Sequence, residues 1–389
     1  MANNKALYSL AFGNFVAGIS AMVLVGISSE MANDLNIVIH KVGHLVTIFA
    51  LVFAISAPLI AALTGKFDRR NLLLFGMLMI VFGNGIIVLT DQYFLLFLGR
   101  IISAIGSATF TPLAILVGIS MAKEEEKGKV SSIIFTGSAV ATTIGIPFGT
   151  YLGLSYGWRY PFWAIVVIAL MSSLILFFAI PKNVTTPVAK FKTLANVFKN
   201  KVLLAILSVT VVQFGGQMVL FAYISPWLKR ISNLSAQEIT FVLVLIGVGG
   251  IIGNLFSGKC TDKFGPQKVQ VLLIIILIII TPFLSLMGEN VYLGYVLFLI
   301  WGGVGQGFIS PQLVRIVNSN PSLSSASLSL NSSFINIGIS FGALTAGYFV
   351  GSLGEESLTW VACFVSILSL IIFLISWRME KNQNYLAKV

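Results

Sequence analysis

The sequence predicts an all-α membrane protein of about twelve transmembrane helices in two pseudo-symmetric six-helix bundles. Three observations carry that prediction. The first is composition: 57% of the 389 residues are hydrophobic and only 10% are charged, with a mean hydropathy of +0.97. An ordinary soluble domain has about 25% charged residues, so this chain lacks the charge to cover a water-facing surface. The second is the recurrence of apolar runs near the roughly 20 residues that a helix needs to cross the hydrocarbon core. The third is the placement of lysine and arginine between those runs.

In the first half the runs cover 6–28, 44–63, 71–90, 94–120, 131–154 and 160–181; in the second they cover 202–226, 238–258, 269–288, 292–314, 327–350 and 358–378. Lipid offers the backbone no hydrogen-bond partners, so each run must satisfy its own N–H and C=O groups and is read as a helix. The first run, Leu7–Ile27, has no convincing small-residue cleavage site and reads as a retained span rather than a signal peptide. Between the third and fourth runs only Thr90-Asp91-Gln92 supplies a polar turn. The long polar, lysine-rich stretch lies between Pro181 and Lys201 and reads as a linker. The expected organisation is therefore a bundle over 1–181, a linker over 182–201, a bundle over 202–378 and a tail over 379–389.

Charge sets the orientation. Of 24 basic side chains, 19 fall in segments on the side of the N-terminus, including Lys66, Arg69, Arg70, Lys263, Lys268 and Arg315. Four (Lys41, Arg159, Lys229 and Arg230) fall on the other side, and Arg100 alone falls within a span. The positive-inside rule then puts both termini in the cytoplasm and makes the number of crossings even. The basic linker is read first as a tether obeying that rule, and alternatively as a contact for anionic membrane lipid.

The net charge of +11 would suggest a nucleic-acid partner in a soluble protein. Here the charges sit in short loops between apolar runs and no recognition motif accompanies them, so no nucleic acid is expected. Cys260 and Cys363 are too few and too far apart for a disulfide framework or zinc site. His40 and His44 have a metal-compatible i, i+4 spacing if helical, but no third ligand is near in sequence. No metal or other cofactor is expected. The sequence has no phosphate-binding loop, zinc-protease helix or nucleophile elbow, so the chain does not read as an enzyme.

An internal repeat is visible. Gly145-Ile146-Pro147-Phe148-Gly149-Thr150 in span 5 matches Gly338-Ile339-Ser340-Phe341-Gly342-Ala343 in span 11. Small residues at that spacing let helix backbones approach closely in lipid. Duplicated bundles are also a common way to build transporters.

Four further elements carry a family resemblance. Gly258-Lys259-Cys260-Thr261-Asp262-Lys263-Phe264-Gly265 lies between spans 8 and 9. Arg100-Ile101-Ile102-Ser103-Ala104-Ile105-Gly106 lies in span 4. Gly145-x-Pro147-x-Gly149-x-x-x-Gly153, preceded by Gly137, lies in span 5, and Trp158-Arg159-Tyr160-Pro161-Phe162 follows it. Together, and in the right order along the chain, they resemble the signatures of the major facilitator superfamily. The nearest likeness is to its twelve-span bacterial drug and metabolite exporters of the arabinose and purine-nucleoside efflux group. Ala32-Asn33-Asp34-Leu35 and Ala222-Tyr223-Ile224-Ser225-Pro226 look like that group too. The loop between spans 2 and 3 departs from the pattern: in Gly65-Lys66-Phe67-Asp68-Arg69-Arg70, Gly65 stands at the usual aspartate and Asp68 at the usual second glycine.

The resemblance implies the major facilitator fold and secondary transport of a small molecule by a monomer in the bacterial inner (cytoplasmic) membrane. It implies proton-coupled efflux, as in an antiporter of the multidrug-resistance kind. A proton-independent facilitator or uptake carrier is the alternative. The resemblance also points to spans 1, 4, 7 and 10 as the lining of the substrate path. Their polar and aromatic members are Asn14, Arg100, Gln213, Gln217, Tyr223, Gln306 and Phe308, with Asn331 and Asn336 of span 11 secondary. For the amides the competing use is hydrogen bonding between helices; for Arg100 it is snorkelling to the nearer interface. Coupling and gating fall to Glu30, Asp68, Arg69, Arg70, Gly145, Pro147, Gly149, Gly258, Asp262 and Gly265. Related exporters often carry an acid in span 1, but the corresponding stretch here is Ser20-Ala21-Met22-Val23. That leaves Glu30, and less so His44, as the candidate proton acceptor.

Overall fold

A computed structural model describes residues 4–64, 67–123, 126–182, 184 and 191–386. Among them are twelve helices long and apolar enough to cross a membrane. Spans 1 to 6 are Asn4–Asp34, Ile39–Leu63, Arg69–Val88, Tyr93–Ser120, Lys129–Tyr156 and Arg159–Ala179. Spans 7 to 12 are Lys201–Phe221, Ala236–Phe264, Pro266–Gly288, Val291–Ser319, Ala326–Leu353 and Glu355–Gln383. The chain divides into two compact units, Met1–Ala189 and Lys190–Val389. Large apolar side chains such as Phe82, Leu174, Phe178, Leu255 and Phe256 point outward. Lipid replaces water around such a surface, so outward apolar residues are at no disadvantage there.

In unit 1 the glycine series of span 5 seats that helix on span 1. A side-chain carbon at Gly137 would overlap the carbonyl of Ala11, one at Gly145 would lie 2.5 Å from Ile19, and one at Gly153 would overlap Ile27. Each partner is 126 positions earlier, so the two helices run in the same direction in constant register. Pro147 has no N–H for the helix ladder, and its ring crowds the preceding turn. Span 5 accommodates it with one wide π turn over Ala141–Gly145, after which the helix resumes at Ile146.

Unit 2 repeats this contact. Side-chain carbons at Gly338 and Gly342 of span 11 would overlap the carbonyls of Val211 and Gly215 in span 7. The glycines matched by sequence in the two halves thus do the same packing job.

Two spans of unit 2 are broken where the sequence reading has them continuous or ending. Span 7 stops at Phe221, turns at Ala222-Tyr223 and restarts as Ile224–Ser232. Span 10 runs to Gly307, breaks at Phe308 and continues as Ile309–Ser319. Arg315 is therefore not in a loop beyond position 314. It is 1% exposed inside span 10, so Arg100 is not the sole basic residue within a span. Glu380, expected in a polar tail, lies inside the helix Leu358–Leu386. At these two points the polar residue that ends the apolar run finds a partner in the fold, and the helix continues through it.

The polar linker also contains a helix, Phe191–Lys199. Its Leu194 and Val197 are buried against Leu203, Ile206, Leu207, Ile316 and Leu330 of unit 2.

Candidate functional site: buried arginines in each unit

Span 4 carries Arg100 into the interior of unit 1, where it is fully buried. Its Nη1 and Nη2 donate to the carbonyls of Ser20 (2.7 Å) and Ala21 (2.9 Å) in span 1. Its Nε donates to the carbonyl of Leu45 in span 2 (3.1 Å), and its guanidinium lies 4.2 Å from the centre of the Phe49 ring. A carbonyl oxygen has two lone pairs, so it can keep its helical bond and accept a second donor. Arg100 thus ties together spans 1, 2 and 4 from within and does not snorkel to an interface.

A polar seam runs beside it. Asn84 of span 3 donates to Ser20 Oγ (2.9 Å) and the Ile80 carbonyl (2.7 Å), with Ser103 Oγ at 3.3 Å. Ser103 Oγ donates to the Gly99 carbonyl at 2.8 Å. Gly83 and Gly99 face one another across spans 3 and 4 and permit this approach. Asn14, less than two turns before Ser20 in span 1, is buried and donates to the Ile134 carbonyl of span 5 at 3.2 Å.

Unit 2 holds a longer network. Arg315 Nε donates to Glu380 Oε1 at 2.7 Å, and Nη2 donates to Ser376 Oγ at 2.5 Å. Gln267 donates to the second Glu380 oxygen at 3.4 Å. Arg315 Nη1 donates to Gln270 Oε1 (3.4 Å), and Gln270 Nε2 to Gln312 Oε1 (2.6 Å). Gln312 Nε2 donates to Thr210 Oγ1 (2.7 Å) and the Ile206 carbonyl (2.8 Å), and Thr210 to Asn331 Oδ1 (2.9 Å). The chain of donors runs away from the cation and joins spans 7, 9, 10, 11 and 12. Sequence reading missed Arg315, Glu380, Gln270 and Gln312. The available signal was polar residues one turn apart, Gln312 and Arg315, at the end of an apolar run.

The other sequence candidates in unit 2 do not gather at one point. Gln213 is buried and accepts from Ser369 Oγ at 2.7 Å. Gln217, one turn on, donates to the Gly305 carbonyl at 3.3 Å. Gln306 lies against Gly250 of span 8. Tyr223 is buried at the break after span 7. Phe308 packs in a core with Val209, Ile274 and Phe373, edge-on to Phe214. Asn336 is half-buried and bonds back to the Ser332 carbonyl.

The gating candidates divide by half. Asp68 caps span 3, accepting from the Asn71 backbone at 2.9 Å. Arg69 donates to the Thr64 carbonyl at 2.8 Å, and Arg70 to the Phe177 carbonyl while lying 4.4 Å from that ring's centre. Gly65 lies outside the described residues. In the matching loop of unit 2, Asp262 is exposed within span 8, and the N-terminus of span 9 has no side-chain cap. Gly265 makes that turn at φ +86°, a conformation glycine adopts without strain. Gly258 lies 3.3 Å from Ser310 Oγ, measured from the position a side-chain carbon would take. Gly145, Pro147 and Gly149 all face span 1 or shape the π turn before it. Glu30 is partly exposed near the end of span 1, and His44 is exposed.

At that same end of unit 1, two sequence elements meet. Trp158 Nε1 and Arg159 Nη1 both donate to Asp34 Oδ2, at 2.7 and 2.8 Å, and Arg159 also pairs with Asp91. Asp91, read only as part of a turn, proves to be a tether for the start of span 6.

The family model described as Major Facilitator Superfamily matches residues 10–328. The uncharacterized MFS-type transporter YbcL of Bacillus subtilis is 30% identical over 385 residues, which cover 98% of either chain. The putative transporter AraJ of Escherichia coli is 29% identical over 270 residues, 68% of this chain and 67% of that one. Among solved structures, a D-xylose-proton symporter superposes with a TM-score of 0.75 at 15% identity, covering 96% of this chain and 97% of that one. These matches, with twelve spans in two units and the four signature elements in place, show that the chain belongs to the major facilitator superfamily and is a multi-pass membrane transporter.

Proposed function

We propose that this transporter exports a small organic molecule (a drug, a nucleoside or base, or a sugar-like metabolite) in exchange for protons. It works by alternating access of its two units, as a monomer in the bacterial inner membrane, with both termini in the cytoplasm. The observation that carries the reading is Arg100, a fully buried cation in span 4 that ties spans 1, 2 and 4 together through their backbones. An arginine kept within lipid depth is expensive and marks a functional interior. The π turn and glycine seat of span 5 support the antiporter reading, because they hold that helix on the span that Arg100 grips. Asn14, Gln213, Gln217 and Gln306 are the proposed polar contacts for the solute, with Tyr223 and Phe308 as aromatic walls. The loop residues Asp68, Arg69, Arg70, Gly258, Asp262 and Gly265 are the proposed hinge contacts. Glu30 is the proposed proton acceptor, and exposed lysines of the linker contact anionic lipid.

A second reading, a proton-independent facilitator or uptake carrier, rests on one observation. Among the described residues the only buried carboxylate is Glu380, and it is paired with Arg315. Proteoliposomes carrying the full chain, an imposed pH gradient and a library of metabolites and drugs separate the two. Movement that requires the gradient supports exchange with protons. Movement at one rate with or without it favours the facilitator.

A further inference from the structure

We infer that the transported solute is neutral or anionic and that lipophilic cations are excluded, an inference that rests on the transport reading above. Among the described residues, the guanidinium of Arg100 in the interior of unit 1 has no carboxylate partner. The three hydrogen bonds that Arg100 donates end on backbone carbonyls, and its guanidinium lies against the Phe49 ring. Carbonyl dipoles and a ring face solvate a guanidinium, but they do not cancel its net charge. Among the described residues, the carboxylates of unit 1 are Glu30, Asp34, Asp68, Asp91 and Glu126, and none is buried. Asp34 and Asp91 are engaged by Arg159 at the surface, and Asp68 caps span 3. The chain's one described buried carboxylate, Glu380, neutralises Arg315 in the other unit.

Position gives this charge its reach. Arg100 is 0% exposed, so water does not screen it directly. In a medium of lower effective dielectric, a unit charge acts strongly over the dimensions of a small solute. A cation brought against spans 1 and 4 is repelled, and an anion of the same shape is attracted. The difference amounts to at least about tenfold in affinity. The carbonyls that Arg100 engages belong to Ser20 and Ala21. A carboxylate at that stretch of span 1 would reverse the balance, and none is present.

The test uses full-length protein in proteoliposomes, the solute library and two xanthene dyes of opposite charge, fluorescein and rhodamine 123. The expected result is that every solute moved above the empty-liposome rate is neutral or anionic, and that rhodamine 123 is not moved. Saturable transport of rhodamine 123 or another lipophilic cation overturns the inference while leaving the transport reading intact. If no solute of any charge moves, both fall together. Ala21→Asp sets a carboxylate beside Arg100 without touching it, and should raise the cation-to-anion rate ratio by about tenfold or more. Phe49→Glu places the same charge on the other side of the guanidinium if the first variant does not fold. Arg100→Lys keeps the charge and should keep the ratio whatever its rate. A ratio unchanged by a well-folded carboxylate variant overturns the role of Arg100.

Discussion

Both units bury an arginine, and they stabilise it by different means. In unit 2, Arg315 faces Glu380 across 2.7 Å, with both side chains almost wholly excluded from solvent. Their charges cancel, and the remaining donors polarise a line of amides and hydroxyls through five helices. In unit 1, Arg100 has only carbonyls and a ring. The first arrangement leaves a neutral, cross-linked bundle; the second leaves a net charge inside a helix trio. A buried ion pair is weak evidence of stabilisation in itself, but removing one partner strands the other. The comparison therefore separates a charge kept for structure from one that keeps an unbalanced field.

The largest expected effect breaks the unit 1 side of this comparison. Arg100→Ala should abolish transport while the protein still reaches the membrane, read by uptake assay beside membrane-fraction yield. A fully active variant would remove Arg100 from any transport role. Next comes unit 2. Glu380→Ala leaves Arg315 buried and unpaired, a loss of about 3–5 kcal/mol. Replacing both, as in Arg315→Met with Glu380→Met, should recover most of that loss. Thermal unfolding of the purified single and double variants checks this, and equal destabilisation by the two would mean that the pair is not the relevant unit.

The repeat offers a smaller and sharper contrast. Gly338 abuts the backbone carbonyl of Val211, which cannot swing aside, whereas Gly145 abuts the side-chain tip of Ile19, which can. Gly338→Ala should destabilise by about 1–3 kcal/mol, as overpacking does, and Gly145→Ala by less. The reverse order in a thermal-shift series would show that the backbone contact at Gly338 is not the less forgiving seat. The smallest effect belongs to the loops. Asp68→Ala removes a helix cap, worth about 1 kcal/mol. Asp262→Ala, at an exposed carboxylate that caps no helix, should leave unfolding unchanged while it slows transport if that loop is a hinge.

Much of the fold was readable in the chain, and for a reason local to each span. Whether about 20 residues partition into lipid depends on their own composition, and the backbone must then satisfy itself within the same helix. The glycine match between Gly145–Thr150 and Gly338–Ala343 was likewise visible, because close helix packing needs small residues at fixed spacing. The same local reasoning failed at Arg315 and Glu380, where polarity was taken as the end of a span.

The sequence by itself determined the number and order of spans, the bias of basic residues to one side and the presence of the family's signatures. Only the tertiary structure decided which polar groups meet. Arg315 and Glu380 are 65 positions apart, Arg100 and its span 1 carbonyls about 80, and Trp158 and Asp34 124. Burying a charge or amide in lipid is unfavourable until a partner arrives, and such partners are supplied by helix packing rather than by neighbours in the chain.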